Sequence, residues 1–217
     1  MNNVLVLAAH PDDETLGAGG TIAKLAAAGH NIKLLTFTDG ISSREDGDRR
    51  HELEQVSKIL GIKEFKAFDF PDNEMDSISL LKVVKKIEDF LDESKFNPNL
   101  VLTQNPYCLN VDHNIVYRAT MTAFRGLKRF NPIKIMCYEV VSSSEWNPLS
   151  HFMPNCYVDV SQFVDKKLAA LEVYSDEMLE CPHPRSVENV INKMKVNGTE
   201  CGLAAAERFQ IVREVIL

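Results

Sequence analysis

The sequence contains no CxxC pair. Its five cysteines, Cys108, Cys137, Cys156, Cys181 and Cys201, are odd in number and widely spaced. Neither a disulfide framework nor a cysteine zinc cluster organises such a chain, and buried free thiols are expected. Positive charge is also short, with 24 Lys+Arg against 31 Asp+Glu and a formal net charge of -7. An acidic chain has no nonspecific attraction for nucleic acid or for an anionic membrane surface. Long apolar runs are missing too. The stretch Val4-Leu5-Val6-Leu7-Ala8-Ala9 is too short to span a bilayer and lacks the basic flank and cleavage site of a signal peptide. A cytoplasmic protein without integral membrane contact is the expectation. No Gly/Ser linker, internal repeat or low-complexity tract divides the chain, so residues 1–217 are read as a single domain.

What is present is enough apolar residue, 45% of the chain, to bury a substantial core without staples. Short β-rich runs alternate with helical patterns. Val4 to Ala8 is followed by Thr15 to Ala28, Ile32 to Thr38 by Asp48 to Leu60, Phe65 to Phe68 by Ile78 to Leu91, and Leu100 to Thr103 by His113 to Leu127. Such alternation means βαβ units and a mainly parallel sheet. Gly29 and Gly61 stand where a left-handed residue closes a helix. Beyond a strand at Ile133 to Val140 come a polar loop, a short strand near Tyr157 to Val160 and helices from Ser161 and Val187, read as a cap on the same core.

In open parallel sheets, ligands bind outside the carboxyl ends of the strands. His10-Pro11-Asp12-Asp13-Glu14 lies where the first strand ends, with one imidazole and three carboxylates in five residues. A catalytic zinc takes three His or Asp/Glu ligands and leaves one position open. The best source for the missing ligand is Asp112-His113, which follows the strand Leu100 to Thr103 and so reaches the same edge. The competing reading makes Asp12 and Asp13 helix caps that complement the helix dipole, with His10 as a turn residue. The run Gly17-Ala18-Gly19-Gly20 lacks the G-x-G-x-x-G spacing of a dinucleotide site, and aspartates at the strand end would repel a pyrophosphate.

Ala9-His10-Pro11-Asp12-Asp13-Glu14 after a hydrophobic strand resembles the signature of the PIG-L (LmbE-like) deacetylases, zinc-dependent N-deacetylases of N-acetylglucosamine derivatives. The resemblance continues in order through Thr38-Asp39-Gly40, Arg49-Arg50-His51-Glu52, Pro71-Asp72, Leu109-Asn110-Val111-Asp112-His113 and Thr122-Ala123-Phe124-Arg125. It implies a Rossmann-like three-layer α/β/α fold with a C-terminal helical cap. It further implies zinc on His10, Asp13 and His113, with Asp12 as general base toward the metal water. His/Asp/His sites also accept iron, cobalt or manganese. Glu139-Val140, Ser142 to Trp146, Pro182 to Ser186, Gly202 and Ala206-Glu207-Phe209 are similar to a bacterial branch of surface-polysaccharide or nonulosonic-acid pathways.

The sequence departs from the family at Asn110, where many members carry a histidine that helps stabilise the tetrahedral oxyanion. Losing one oxyanion donor typically costs about 100 to 1000-fold in rate, so a replacement from the C-terminal cap is expected, His183 first and Arg185 second. His183 between two prolines is also readable as a residue of a rigid surface loop or of a contact with a neighbouring subunit. Arg49 and Asp72 match family positions near the sugar, or else form ordinary ion pairs. Glu145 and Trp146 offer an acidic and an aromatic wall for a sugar ring, and as the sole tryptophan Trp146 is also a plausible core anchor. Glu14 is expected behind the metal ligands, since three carboxylates would overcharge one zinc.

The reaction expected is removal of an acetyl group from an N-acetylated amino sugar or its conjugate. The alternatives are a zinc amidohydrolase for another acyl amide and a non-catalytic sugar-binding module. A homo-oligomer through the cap is compatible with the sequence, which fixes neither its symmetry nor its size.

Overall fold

The computed structural model describes residues 2–38, 49–125, 132, 134–147 and 152–216. Seven strands form one sheet in the order β3-β2-β1-β4-β5-β7-β6. In chain order they are β1 (Asn3–Ala8), β2 (Asn31–Thr38), β3 (Glu64–Phe70), β4 (Leu100–Gln104), β5 (Lys134–Tyr138), β6 (Cys156–Asp159) and β7 (Ala206–Glu214). The first five are mutually parallel, whereas β7 runs antiparallel to both β5 and β6. The helices are α1 (Asp13–Ala27), α2 (Arg50–Leu60), α3 (Leu80–Glu93), α4 (Val111–Ala123), α5 (Val164–Val173) and α6 (Val187–Thr199).

Successive side chains of a strand point to opposite faces, and β1 sorts its residues accordingly. Val4, Val6 and Ala8 join a core with Leu16 and Ile22 of α1, Leu53 and Val56 of α2, Leu171 of α5 and Met194 of α6. Leu5 and Leu7 join the opposite core with Val83 and Ile87 of α3 and Val116 and Ala119 of α4. The result is three layers, with β1 buried on both faces as a central parallel strand must be. Gly61 closes α2 in the left-handed region at φ 80. Gly17 lets α1 cross the sheet closely, since a Cβ there would stand 2.2 Å from the Tyr138 ring.

Several sequence expectations change. The C-terminal region is helical only in part. β7, which carried no element in the sequence reading, inserts between β5 and β6, and its burial does not alternate cleanly along its length. The expected helix starts at Thr15 and Ser161 move to Asp13 and Val164. Cys181 and Cys201 are exposed and Cys156 is half-buried, so only Cys108 and Cys137 are the buried thiols expected. Asp39-Gly40, Asp48, Leu127 and Ile133 lie outside the described residues. Among the described residues no helix is long and apolar enough to cross a membrane.

Candidate active site and metal centre

The sheet order reverses at β1, which has β2 on one side and β4 on the other. The chain leaving β1 turns through His10-Pro11-Asp12 into α1, and the chain leaving β4 runs through loop 105–110 into α4. Two segments about a hundred residues apart therefore open on the same carboxyl-edge crevice. There His10 Nδ1 stands 3.3 Å from His113 Nε2 and 3.1 Å from Asp13 Oδ2, while His113 Nε2 stands 3.3 Å from Asp13 Oδ1.

Donors bound tetrahedrally to zinc at about 2.0–2.1 Å are separated from one another by about 3.3 Å. The three side chains already have that spacing. Asp13 Oδ2 is spoken for, because it accepts from the His10 amide and from Gln104 Nε2, both at 2.9 Å. Its Oδ1 is buried and accepts no hydrogen bond among the described residues. A buried carboxylate oxygen with no hydrogen bond, 3.3 Å from an imidazole nitrogen, suits a cation. Among the described residues, His10, Asp13 and His113 form one of two groups with ligand atoms within 4.8 Å of one another, and His10, Asp72 and Asp112 form the other.

The second group works on the far side of the same ring. His10 Nε2 lies 3.1 Å from Asp112 Oδ2 and 3.1 Å from Asp72 Oδ1. Asp112 is itself fixed by the amides of Asn73 and Met75, at 2.7 and 3.0 Å. A carboxylate on the second nitrogen of a metal-facing histidine sets its tautomer and orientation. Burial opposes the charged form of His10, but the Asp13 charge and bonds to Asp112, Asp13 and Asp72 hold its pKa well above the usual value. Burial likewise opposes a charge on His113, but the Asp13 charge and bonds to Asp13 and Cys108 together outweigh it, so His113 is pushed up to about 9.

Asp12 occupies the N-cap position of α1, yet its side chain caps nothing. The capping alternative therefore does not account for it. Its backbone sits at φ 124, a region costly for a residue with a Cβ, and the Asp12 amide donates to Glu14 Oε2 at 3.2 Å. Glu14 is buried and is braced in turn by Tyr174, whose hydroxyl donates to Oε1 at 3.1 Å. The Asp12 carboxyl is thereby turned into the crevice, where Oδ2 accepts from Arg185 Nη1 at 2.8 Å and Oδ1 is buried without a hydrogen bond. Burial pushes Asp12 up to about 7; Arg185 opposes the rise, while Asp13 and Glu177 add to it.

These groups line an open cleft walled by His10, Pro11, Asp12, Asp72, Asn73, Asn110, Glu177 and Arg185. Its walls are almost wholly polar. Arg185, rather than His183, is the cap residue that enters. The His183 ring turns to its own loop, with Nδ1 accepting from the Arg185 amide at 3.1 Å, and does not line the cleft. Asn110 spends its Oδ1 capping α4 through the amides of Asp112 and His113, leaving Nδ2, which donates to Asn73 Oδ1 at 2.9 Å.

Arg49 stands behind the cleft and pairs with Glu177 Oε1, while Glu177 Oε2 accepts from Arg185 Nη1 at 2.7 Å. Glu145 and Trp146 are outside the cleft. Glu145 is exposed and 3.7 Å from Lys193, and Trp146 is 59% exposed, which rules it out as a core anchor. Gln104 and Glu177 were not assigned from sequence, and Asp112 was read only as part of the pair Asp112-His113 that could supply a ligand. Gln104 and Asp112 do carry a signal, as the last residue of a strand aimed at the crevice and the immediate neighbour of His113.

Residues 5–124 match the PIG-L family, described as GlcNAc-PI de-N-acetylase. The chain is 33% identical over 175 residues to the uncharacterized deacetylase YaiS of Escherichia coli, covering 78% of this chain and 88% of that protein. It is 29% identical over 195 residues to the diacetylchitobiose deacetylase of Thermococcus kodakarensis, covering 83% and 72%. The crystal structure of the conserved protein TT1542 from Thermus thermophilus superposes with a TM-score of 0.80 at 25% identity, covering 100% of this chain and 97% of that one.

Proposed function

The chain belongs to the PIG-L family, and from that premise we propose that it is a zinc-dependent N-deacetylase that removes the acetyl group from an N-acetylated amino sugar or its conjugate. The observation that carries this reading is the convergence of His10 Nδ1, Asp13 and His113 Nε2 at ligand spacing beside the uncapped carboxylate of Asp12. The deacetylase names of the relatives support the reaction class.

A zinc ion held by His10, Asp13 and His113 would supply Lewis acidity to water and to the amide carbonyl. The proton work falls to Asp12. Its carboxylate takes the proton of the attacking water as the new C–O bond forms, and returns it to the nitrogen as the C–N bond breaks, giving acetate and the free amine. A carboxyl held near neutrality by burial suits both halves of that task. Arg185 orients Asp12 through Nη1, and its guanidinium, which lines the same cleft, serves as the donor to the acyl oxygen. Asn110 Nδ2 and Asp72 contact the sugar from the opposite wall. Arg49 acts indirectly by holding Glu177.

The whole chain acts as one domain on this reading, because Asp12 and Arg185 come from its two ends. A cytoplasmic enzyme of surface-polysaccharide or amino-sugar synthesis is the context that the branch resemblance supports. The test is acetate release from free, nucleotide-linked and lipid-linked N-acetylamino sugars, with N-formyl analogues alongside. Acetate from one class names the substrate. Turnover of the formyl analogues alone would move the reading to another amidohydrolase.

A further inference from the structure

His113 is held by a sulfur. With Nε2 turned to Asp13 and His10, the ring's other nitrogen, Nδ1, faces Cys108 Sγ at 3.1 Å, and both side chains are buried. His10, by contrast, has two carboxylates on its outer nitrogen. The two imidazoles of one ligand set thus have unlike supports.

Two polar side chains, His113 and Ser144, lie against the Cys108 sulfur. Ser144 Oγ accepts the Val140 amide at 3.1 Å and lies 3.6 Å from Sγ, where its hydroxyl is free to donate to the sulfur or to accept from the thiol. The loop that carries the thiol is anchored to α4, because Asn114 Nδ2 donates to the carbonyls of Cys108 and Asn110 at 2.8 and 2.7 Å. A neutral imidazole that gives its Nε2 lone pair to a metal must keep its proton on Nδ1, and that proton needs an acceptor. Cys108 Sγ is the atom placed to receive it.

We propose that Cys108 is a positioning residue for the metal centre, accepting the Nδ1 proton of His113 and so fixing the ring's orientation and the tautomer that leaves Nε2 free to bind. The proposal rests on the metal reading of His10, Asp13 and His113. It assigns a task to a buried thiol that neither disulfide nor core packing requires, and it places the sulfur behind a ligand rather than among the ligands.

Zinc affinity measured by chelator competition on purified protein separates the cases. Cys108→Val, close in volume but unable to accept, should bind zinc about 10 to 100-fold more weakly, and Cys108→Ser, which can accept, should recover most of that loss. Thermal unfolding of the metal-free proteins checks that both variants are folded. Should Cys108→Val not fold, the nitrogen chemical shifts of His113 in the zinc-loaded wild type decide, with a proton on Nδ1 expected. A folded Cys108→Val with wild-type affinity, or His113 protonated on Nε2, would overturn the proposal. Wild-type protein that takes up no zinc would instead remove the metal reading, and the proposal with it.

Discussion

Arg185 Nη1 lies 2.8 Å from Asp12 Oδ2, joining a residue just before α6 to the residue just before α1 across 173 positions of chain. The charge that steadies the proposed general base therefore arrives from the C-terminal part of the fold. Arg185 lowers the Asp12 pKa against the larger effect of burial. Replacing it with Gln should move the acid limb of the kcat/KM profile to higher pH, because Asp12 must be deprotonated to accept a proton. The rate at optimal pH should fall by about 100 to 1000-fold if the guanidinium also serves the oxyanion. An unshifted acid limb would separate Arg185 from Asp12 function. The divalent ion attracts the Asp12 charge, so the wild-type limb is expected at or below about pH 7.

Zinc uptake should release protons. In the metal-free centre His113 is pushed up to about 9 and His10 is raised by the same neighbour, Asp13, so both are protonated at neutral pH. Metal must displace those protons, and the apparent affinity should climb with pH until it passes about 9. Calorimetry in buffers of differing ionisation enthalpy should give between about one and two protons per zinc at pH 7. Heats independent of the buffer would mean the imidazoles are already neutral.

Glu207 and Lys167 form a buried ion pair at 2.7 Å, each 3% exposed, and Glu207 also accepts the amides of Gly20 and Thr21 at 2.9 and 2.7 Å. This ties α1 to α5 and β7. Glu207→Ala leaves the buried Lys167 cation with no counter-charge, only the Leu16 carbonyl at 2.8 Å, and should cost about 3–5 kcal/mol in denaturant unfolding. A loss under about 1 kcal/mol would show that water replaces the carboxylate readily.

The site was legible in the sequence where its parts are contiguous. His10, Asp12 and Asp13 sit together at a strand end, and His113 starts the helix after a second strand, so strand order alone brings them to one edge. The supports were legible only in part: Asp72 after β3 and Arg185 before α6 are among the candidates read from sequence, whereas Gln104 at the end of β4 and Glu177 in the turn Ser175–Glu177 come from separate segments with no motif of their own. Arg185 rather than His183 lines the cleft, a matter of side-chain direction that Pro182-His183-Pro184-Arg185 does not encode locally. β7 escaped for a related reason: Glu207 is buried in an ion pair made with a distant helix, so a charged residue stands where an apolar one would announce a strand.

The central claim is tested most directly by measuring zinc content and acetate release on the same protein samples, wild type beside Asp12→Asn, with and without chelator, on the best substrate of the panel. Zinc should be bound by both proteins. Acetate release by the wild type should need the metal, and in Asp12→Asn it should fall by at least about 100-fold. Folded wild-type protein that takes up no zinc, or an Asp12→Asn enzyme that turns over like the wild type, would contradict the account.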